Sequence, residues 1–382
     1  MQNQRSLRVG VLFGGRSGEH EVSLNSARNV MDALAKAGHT VIPIGITPQG
    51  HWLTSENPLA LLTGETTPSP ALAQTITLNG NHNDTTNGDA KNGHDAWALL
   101  PHPRANAPLP NIDLIFPVLH GTYGEDGTVQ GLLEMANLPY VGCGVLASAV
   151  AMDKAVAKAL FAQAGLQQAA YQVILRRQWR TNPTSVITTL EAALPYPMFV
   201  KPANLGSSVG ISKVHDQSEL APALELACRY DRKVVVEAGV PNAREIEVSV
   251  LGNDEPIVSI AGEVVPVNEF YDYEAKYLTD ASKLLIPAPI SAEMTAQIQA
   301  MARKAFQAAD GAGLARVDFL LDDVSQTLYL NEINTMPGFT RHSMYPKLWE
   351  ATGIPYPELV NRLLTLALDQ YADRLQNATT RE

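Results

Sequence analysis

The sequence predicts a multidomain chain of α/β and α+β character, with an N-terminal open parallel βαβ sheet and two smaller α+β parts after it. Three observations carry this reading. The 382 residues exceed what one hydrophobic core usually organises, because domains run about 100 to 200 residues. The first fifty residues read as strand, glycine-rich turn, amphipathic helix and strand. Further on, short β-rich runs mix with helices in no repeating order, as in α+β folds.

Residues 8–13 form a short β-rich run, and Gly14 to Gly18 a turn. Leu24, Ala27, Met31 and Leu34 recur at three- and four-residue steps, which marks one buried helical face. Ser23 is expected to cap that helix and Gly38 to end it, with residues 41–46 as the second strand. A buried strand at 112–119 and a helix around 129–136 complete a domain over 1–145. Inside it, residues 63–110 are rich in Thr, Asn, Gly and Pro and carry no periodic apolar face. Such composition buries too little surface to offset the entropy of ordering, so a mobile insertion is expected, with a short strand near 74–78. A long Ala-rich helix is expected over 146–164, then strands at 171–175, 198–202 and 209–214, a helix at 218–228 and a strand at 233–237. Further β-runs follow at 245–251, 256–262, 315–321 and 328–333, with helices at 292–309 and 356–371.

Apolar residues make up 45% and charged ones 18%, which is ordinary globular usage and excludes a disordered or fibrous chain. The net charge of −11 provides no global positive field, so neither nucleic acid nor an anionic membrane is expected as a partner. An anionic ligand has to be met by a locally basic cleft or bridged by metal ions. Cys143 and Cys228 are too few for a disulfide scaffold and wrongly spaced for zinc. The apolar run at 9–13 is too short for a signal-peptide core, and the stretch 141–152 is too short to cross a bilayer. The expected location is cytoplasmic.

Three motifs carry chemistry. Gly14-Gly15-Arg16-Ser17-Gly18 sits where a dinucleotide fingerprint would, but does not fit G-x-G-x-x-G, and no acidic residue ends the next strand. It is either a structural turn or a helix N-terminus that receives a small ligand. Lys201 precedes Gly206-Ser207-Ser208-Val209-Gly210, which formally satisfies the G-x-S-x-G of a serine hydrolase with Ser208 as nucleophile. That motif needs a helix directly after the serine, whereas the sequel here is β-like. The context fits a solvent hairpin, or one whose amides and hydroxyls fold over phosphates. Arg316-Val317-Asp318 lies on one β-run and Glu332-Ile333-Asn334 on another, with the polar residues two apart and so on one face. If the two runs pair, Asp318, Glu332 and Asn334 converge as hard oxygen ligands suited to Mg²⁺. The alternative is a solvated face with an ion pair to Arg316. Phe319, Leu320 and Leu321 favour a strand well inside the domain, where unpaired carboxylates are costly.

These residues, with Glu19-His20-Glu21-Val22-Ser23 directly after the first glycine cluster, His120-Gly121-Thr122-Tyr123-Gly124-Glu125-Asp126-Gly127, Met152-Asp153-Lys154, Tyr271-Asp272-Tyr273-Glu274-Ala275-Lys276-Tyr277 and the stretches 313–318 and 331–343, resemble the D-alanine:D-alanine ligase family of the ATP-grasp superfamily. The motifs span the chain in family order, and only 63–110 falls outside the pattern. The form His120-Gly121-Thr122-Tyr123-Gly124 is similar to the longer-chain branch of the family.

The resemblance implies a two-part ATP-grasp fold after the N-terminal domain, with subdomains at 146–237 and 238–375 and a lid loop at 265–285. It implies ligation of two D-alanines at the expense of ATP, through a D-alanyl phosphate, for peptidoglycan precursor synthesis, by a homodimer. A D-alanine:D-serine ligase or another carboxylate-amine ligase is the alternative within the superfamily, and a hydrolase through Ser208 the alternative outside it. By family pattern, Lys154, Lys201 and Lys276 contact phosphates, Glu237 meets adenine and Glu245 the ribose. Ser207, Ser208, Val240 and Asn331 complete the ATP site. Asp318, Glu332 and Asn334 hold two Mg²⁺ or Mn²⁺. Arg316 and the amides near Gly338 stabilise the oxyanion. Glu21 receives the first ammonium in a subsite lined by Val22, His120 and Glu125, while Ser343 and Met344 receive the second carboxylate. Ser207 and Tyr277 join Glu21 to latch the site closed.

Overall fold

The structure, a computed structural model, describes residues 6–53, 57–65, 112–206, 208–265 and 283–378. In the first part, β1 (Arg8–Gly14), α1 (His20–Lys36), β2 (Thr40–Ile46), β3 (Trp52–Leu53), α2 (Pro58–Leu62), β4 (Leu114–Val118) and α3 (Thr128–Met135) build a sheet in the order β3-β2-β1-β4. The strands β2, β1 and β4 are parallel, and β3 adds an antiparallel edge. Val9, Val11 and Phe13 are fully buried on one side of β1, against Leu24, Ala27, Val30 and Leu34 of α1. Gly38, at φ +88°, supplies the left-handed turn that leads from α1 to β2. Ser23 is not the cap expected. It lies inside α1, where its hydroxyl accepts from the Gly14 amide and donates to the Val118 carbonyl, tying the helix to two strands.

The expected single helix at 146–164 is two, α4 (Val145–Met152) and α5 (Lys154–Gln163). Asp153 between them is extended (φ −86°, ψ 97°), and its carboxylate accepts from the amides of Ala155 and Val156, so it starts a new helix instead of continuing the old one. The second part follows with β5 (Tyr171–Leu175), α6 (Arg176–Thr181), α7 (Pro183–Ala193), β6 (Met198–Pro202), β7 (Ser212–Val214), α8 (Gln217–Tyr230) and β8 (Lys233–Ala238). Its four strands run antiparallel in the order β5-β8-β6-β7. The run expected at 209–214 narrows to β7, because residues 208–210 turn, with Ser208 at φ +59° and Gly210 at φ +73°.

The third part contains β9 (Ala243–Gly252), β10 (Ile257–Val258), β11 (Gly262–Val265), β12 (Lys283–Leu285), α9 (Ala292–Ala308), β13 (Gly313–Asp322) and β14 (Leu328–Asn334). The strand expected at 256–262 is thus two short ones, each paired with a different stretch of β9. The sheet order is β12-β11-β9-β13-β14, and β10 flanks β9. Two further helices, α10 (Met344–Thr352) and α11 (Tyr356–Arg374), turn back to the first sheet. Trp349, Leu359, Leu363 and Ala367 share one core with Val9, Leu24 and Leu114. Helices α4 and α5 pack their Ala147, Ala157 and Phe161 against Ile246, Ala302 and Phe306 of the third part, whereas the middle sheet keeps its own core from Ile174 to Val236. By packing, α4 and α5 therefore go with the third part, and the core of the middle sheet begins at β5. The short strand expected at 74–78 lies outside the described residues, as does all of the expected insertion after Glu65. Of the expected lid, only the arms β11 and β12 are described, and they pair antiparallel.

Candidate active site

A cleft of ≈ 740 Å³ runs between the three sheets and takes side chains from each part, a size suited to a bound nucleotide or drug-sized ligand. One wall is the β13–β14 ladder. The strands pair antiparallel with Arg316 opposite Asn334 and Asp318 opposite Glu332, so the residues expected to converge do so. On the other side of β13, Asp318 also stands opposite Glu247 of β9. The Arg316 guanidinium donates to both oxygens of Asp318 at 2.7 Å and lies 3.1 Å from Glu247. Burial disfavours its charge, but Asp318 and Glu247 outweigh that and hold its pKa far above the ordinary value.

Among the described residues no three His, Cys, Asp or Glu side chains are grouped to hold a metal ion. The ladder offers two carboxylates and one amide. That donor set fits a hard divalent cation whose remaining positions go to phosphate oxygens and water, as Mg²⁺ prefers with nucleotides.

The opposite wall is cationic. Lys154, at the start of α5, donates to the Leu205 carbonyl at 2.8 Å and so braces the loop between β6 and β7. Lys201 of β6 lies 3.0 Å from the Glu237 carboxylate of β8. Burial raises the Glu237 pKa, yet Lys201 and Lys158 overcome it and hold the carboxyl below its ordinary range. Ser208, Val240, Glu245 and Asn331 also line the cleft. Ser208 is followed by a turn and the strand β7, not by a helix. The strand-turn-helix support that a hydrolase nucleophile requires is therefore not built around it. Ser207, Lys276 and Tyr277 fall outside the described residues.

At the far end, the first part contributes Glu19, His120 and Glu125. His120 is buried, with Nδ1 3.0 Å from the Met336 carbonyl and Nε2 3.0 Å from the Ser26 hydroxyl. Burial opposes its charge, but Glu125 and Glu19 raise its pKa. Burial likewise raises that of Glu125. Gly338, Ser343 and Met344 line the cleft beside them. A side chain on residue 338 would meet the Ser343 hydroxyl at 2.9 Å, so glycine is what lets that hydroxyl approach.

Two expected residues are displaced. Glu21 is exposed on the first turn of α1, where it complements the helix dipole, and Val22 is buried without lining the cleft. The carboxylate that enters the cleft is Glu19, two residues earlier, before the helix starts. It sits where a Cβ on Gly121 or Gly206 would come within 2.7 or 3.0 Å of its Oε2, so it touches loops from two parts of the chain. Nothing in the spacing separates Glu19 from Glu21 except that Glu21 falls within the helical repeat. Glu247 was also missed, although Glu245, Glu247 and Ser249 alternate on an otherwise apolar strand, which is a readable signal of one polar face.

Three antiparallel and parallel sheets around a cleft of lysines, hard oxygen donors and an arginine define an ATP-grasp ligase. Comparison with known proteins narrows this. Residues 8–143 match the model of the D-ala D-ala ligase N-terminus and residues 160–365 that of the D-ala D-ala ligase C-terminus. A D-alanine--D-alanine ligase of Heliobacterium modesticaldum is 53% identical over 98% of both chains, and one of Chloroherpeton thalassium is 50% identical over 96% of this chain and 98% of the other. Among solved structures, the VanG D-Ala:D-Ser ligase of Enterococcus faecalis superposes with a TM-score of 0.78 at 35% identity, over 95% of this chain and 100% of that one. The chain belongs to the D-alanine–D-alanine ligase family.

Proposed function

We propose that the protein joins two D-alanines into D-alanyl-D-alanine with cleavage of ATP to ADP and phosphate. The observation that carries this is the oxygen-donor array of Asp318, Glu332 and Asn334 in one cleft with Lys154 and Lys201, with Arg316 bound to Asp318 and Glu247 beside it. In the first step a carboxylate oxygen of one D-alanine attacks the γ-phosphorus, and ADP leaves. In the second, the amine of another D-alanine attacks the acyl carbon of the resulting D-alanyl phosphate, a proton leaves the nitrogen and phosphate departs. Lys154, Lys201 and the amides of the β6–β7 loop neutralise the phosphates of ATP. Bound at Asp318, Glu332 and Asn334, Mg²⁺ or Mn²⁺ would draw charge from the transferring group. Arg316, which Glu247 keeps in place, and the amides near Gly338 face the developing oxyanion, a contribution often worth about a hundred- to a thousand-fold in rate. Glu19, in place of Glu21, receives the first ammonium beside His120 and Glu125. Ser343 and Met344 receive the carboxylate of the second D-alanine.

D-alanine is favoured over D-serine as acceptor because the relatives at about 50% identity are D-alanine--D-alanine ligases, while the D-Ser enzyme is 35% identical. The same reading carries a role in peptidoglycan synthesis, a homodimer and a cytoplasmic location where ATP is supplied. Among the described residues no helix is long and apolar enough to cross a membrane. Phosphate release from MgATP is the test, with D-alanine, L-alanine, D-serine and their pairs. D-alanine alone should support turnover and L-alanine should not. Equal turnover with L-alanine overturns the reading.

A further inference from the structure

Lys158 lies one helical turn after Lys154, on the same face of α5, yet it does not line the cleft. Its side chain is 3% exposed, and its Nζ lies 3.4 Å from Glu237 Oε1 and 5.3 Å above the Tyr171 ring. Lys201 holds the other oxygen of the same carboxylate from the cleft side. One buried carboxylate thus has two ammonium partners, of which only one can reach a ligand. An ammonium that is this deeply buried is costly, and burial does depress the Lys158 pKa against the pull of Glu237. A purely structural position would be filled more cheaply by an apolar side chain.

Lys201 cannot serve Glu237 fully and also meet an incoming phosphate. When it turns to the nucleotide, Lys158 is what remains. Glu237 lines the cleft and stands opposite Phe199 on the neighbouring strand, and Val240 lines the same cleft, so apolar surface for a flat base is at hand. As an ionised carboxylate it can only accept hydrogen bonds, which suits the exocyclic amine of adenine and rejects the keto oxygen that guanine presents at the same ring position.

Resting on the ATP-dependent reading above, we infer that Lys158 is a positioning residue for nucleotide choice, the fixed counter-ion that keeps Glu237 charged and in one orientation while Lys201 engages phosphate. It acts through Glu237 and never touches the nucleotide.

The experiment is direct binding of AMP-PNP and GMP-PNP, each with Mg²⁺, to the full chain without amino acid. Lys158→Met should weaken AMP-PNP about ten-fold or more while leaving GMP-PNP nearly unchanged, so that discrimination narrows, and Lys158→Arg should restore it. Because an unpaired carboxylate could unfold the single variant, Glu237→Gln and Glu237→Gln/Lys158→Met are measured beside it. If Lys158 acts through Glu237, these two bind AMP-PNP alike. Equal weakening of both nucleotides by Lys158→Met, an unchanged preference, or a further loss in the double variant overturns the inference while leaving the ligase reading intact. Wild-type protein that binds neither nucleotide overturns both.

Discussion

Asp153 holds two jobs at the break between α4 and α5, and removing it should separate them by measurement. Its carboxylate caps α5 through the Ala155 and Val156 amides at 3.1 and 3.2 Å, and it forms a short ion pair with Lys233 of β8. Loss of an aspartate cap costs about 1 kcal/mol. The ion pair is only partly shielded from water, so a further contribution of about 1 kcal/mol is its upper end. Asp153→Ala should therefore lose about 2 kcal/mol, and Asp153→Asn, which keeps a capping oxygen, roughly half of that. At roughly 2 °C per kcal/mol for larger domains, the Tm shifts are about 4 and 2 °C. Burial raises the Asp153 pKa, but Lys233 and the Val156 amide outweigh it, so the folded value lies below the unfolded one. The charge-dependent part of the stabilisation is then complete above the unfolded pKa and disappears as pH falls through the folded one. The gap between wild type and Asp153→Ala should be full at pH 7 and shrink to about half of that below about pH 4, because the protonated carboxyl, like Asn, keeps a capping oxygen. The next residue is Lys154, so a frayed first turn should also raise the KM for ATP while leaving that for D-alanine near normal. Thermal unfolding at several pH values and steady-state kinetics check this. Equal Tm losses for Ala and Asn at neutral pH, or a gap that does not shrink in acid, refute the reasoning.

Glu332→Gln should keep the fold and raise the Mg²⁺ concentration needed for half-maximal activity, which titration with Mg²⁺ at fixed ATP measures. Gly121→Ala places a Cβ 2.7 Å from Glu19 at φ +78°, so it should cost about 1 kcal/mol or more in stability and raise the KM for D-alanine well beyond that for ATP. Burial pushes the Cys143 thiol up to about 12, so a disulfide reagent should label it only on unfolding, and rapid labelling of the native chain would contradict its burial.

The carboxylate ladder was legible because a strand has a period of two. Arg316 and Asp318, then Glu332 and Asn334, each fall on one face, and pairing is all that had to be added. The first βαβ unit was legible for the same reason, with a three-to-four repeat over α1 between two apolar runs. What failed depends on contacts distant in sequence. The Ala-rich run 145–163 favours helix throughout, and only the capping geometry of Asp153 divides it. Helix α10 was missed because Tyr345, Leu348 and Trp349 find their partners in cores built by β1, β9 and β11. At α7 the signal was present, since Asn182 caps and Pro183 opens the helix. In the site, Glu19 and Glu21 differ only by where α1 begins, and helix starts are poorly fixed by sequence.

The core that joins the first sheet to α11 has a consequence for synthesis. Val9 and Leu24 emerge first, but Leu359, Leu363 and Ala367, which cover the same apolar face, come roughly 350 residues later. At roughly 5 to 20 residues per second, a ribosome takes about 20 to 70 s to supply them. During that time α1 alone covers Val11 and Phe13, and Phe116 lacks Phe339, the ring it meets edge-on. The middle sheet, with a core of its own, has no such wait. Maturation of this chain should then run from the middle outward, the earliest residues among the last to be sealed, and a chaperone that binds apolar strands would find its substrate at the N-terminal end.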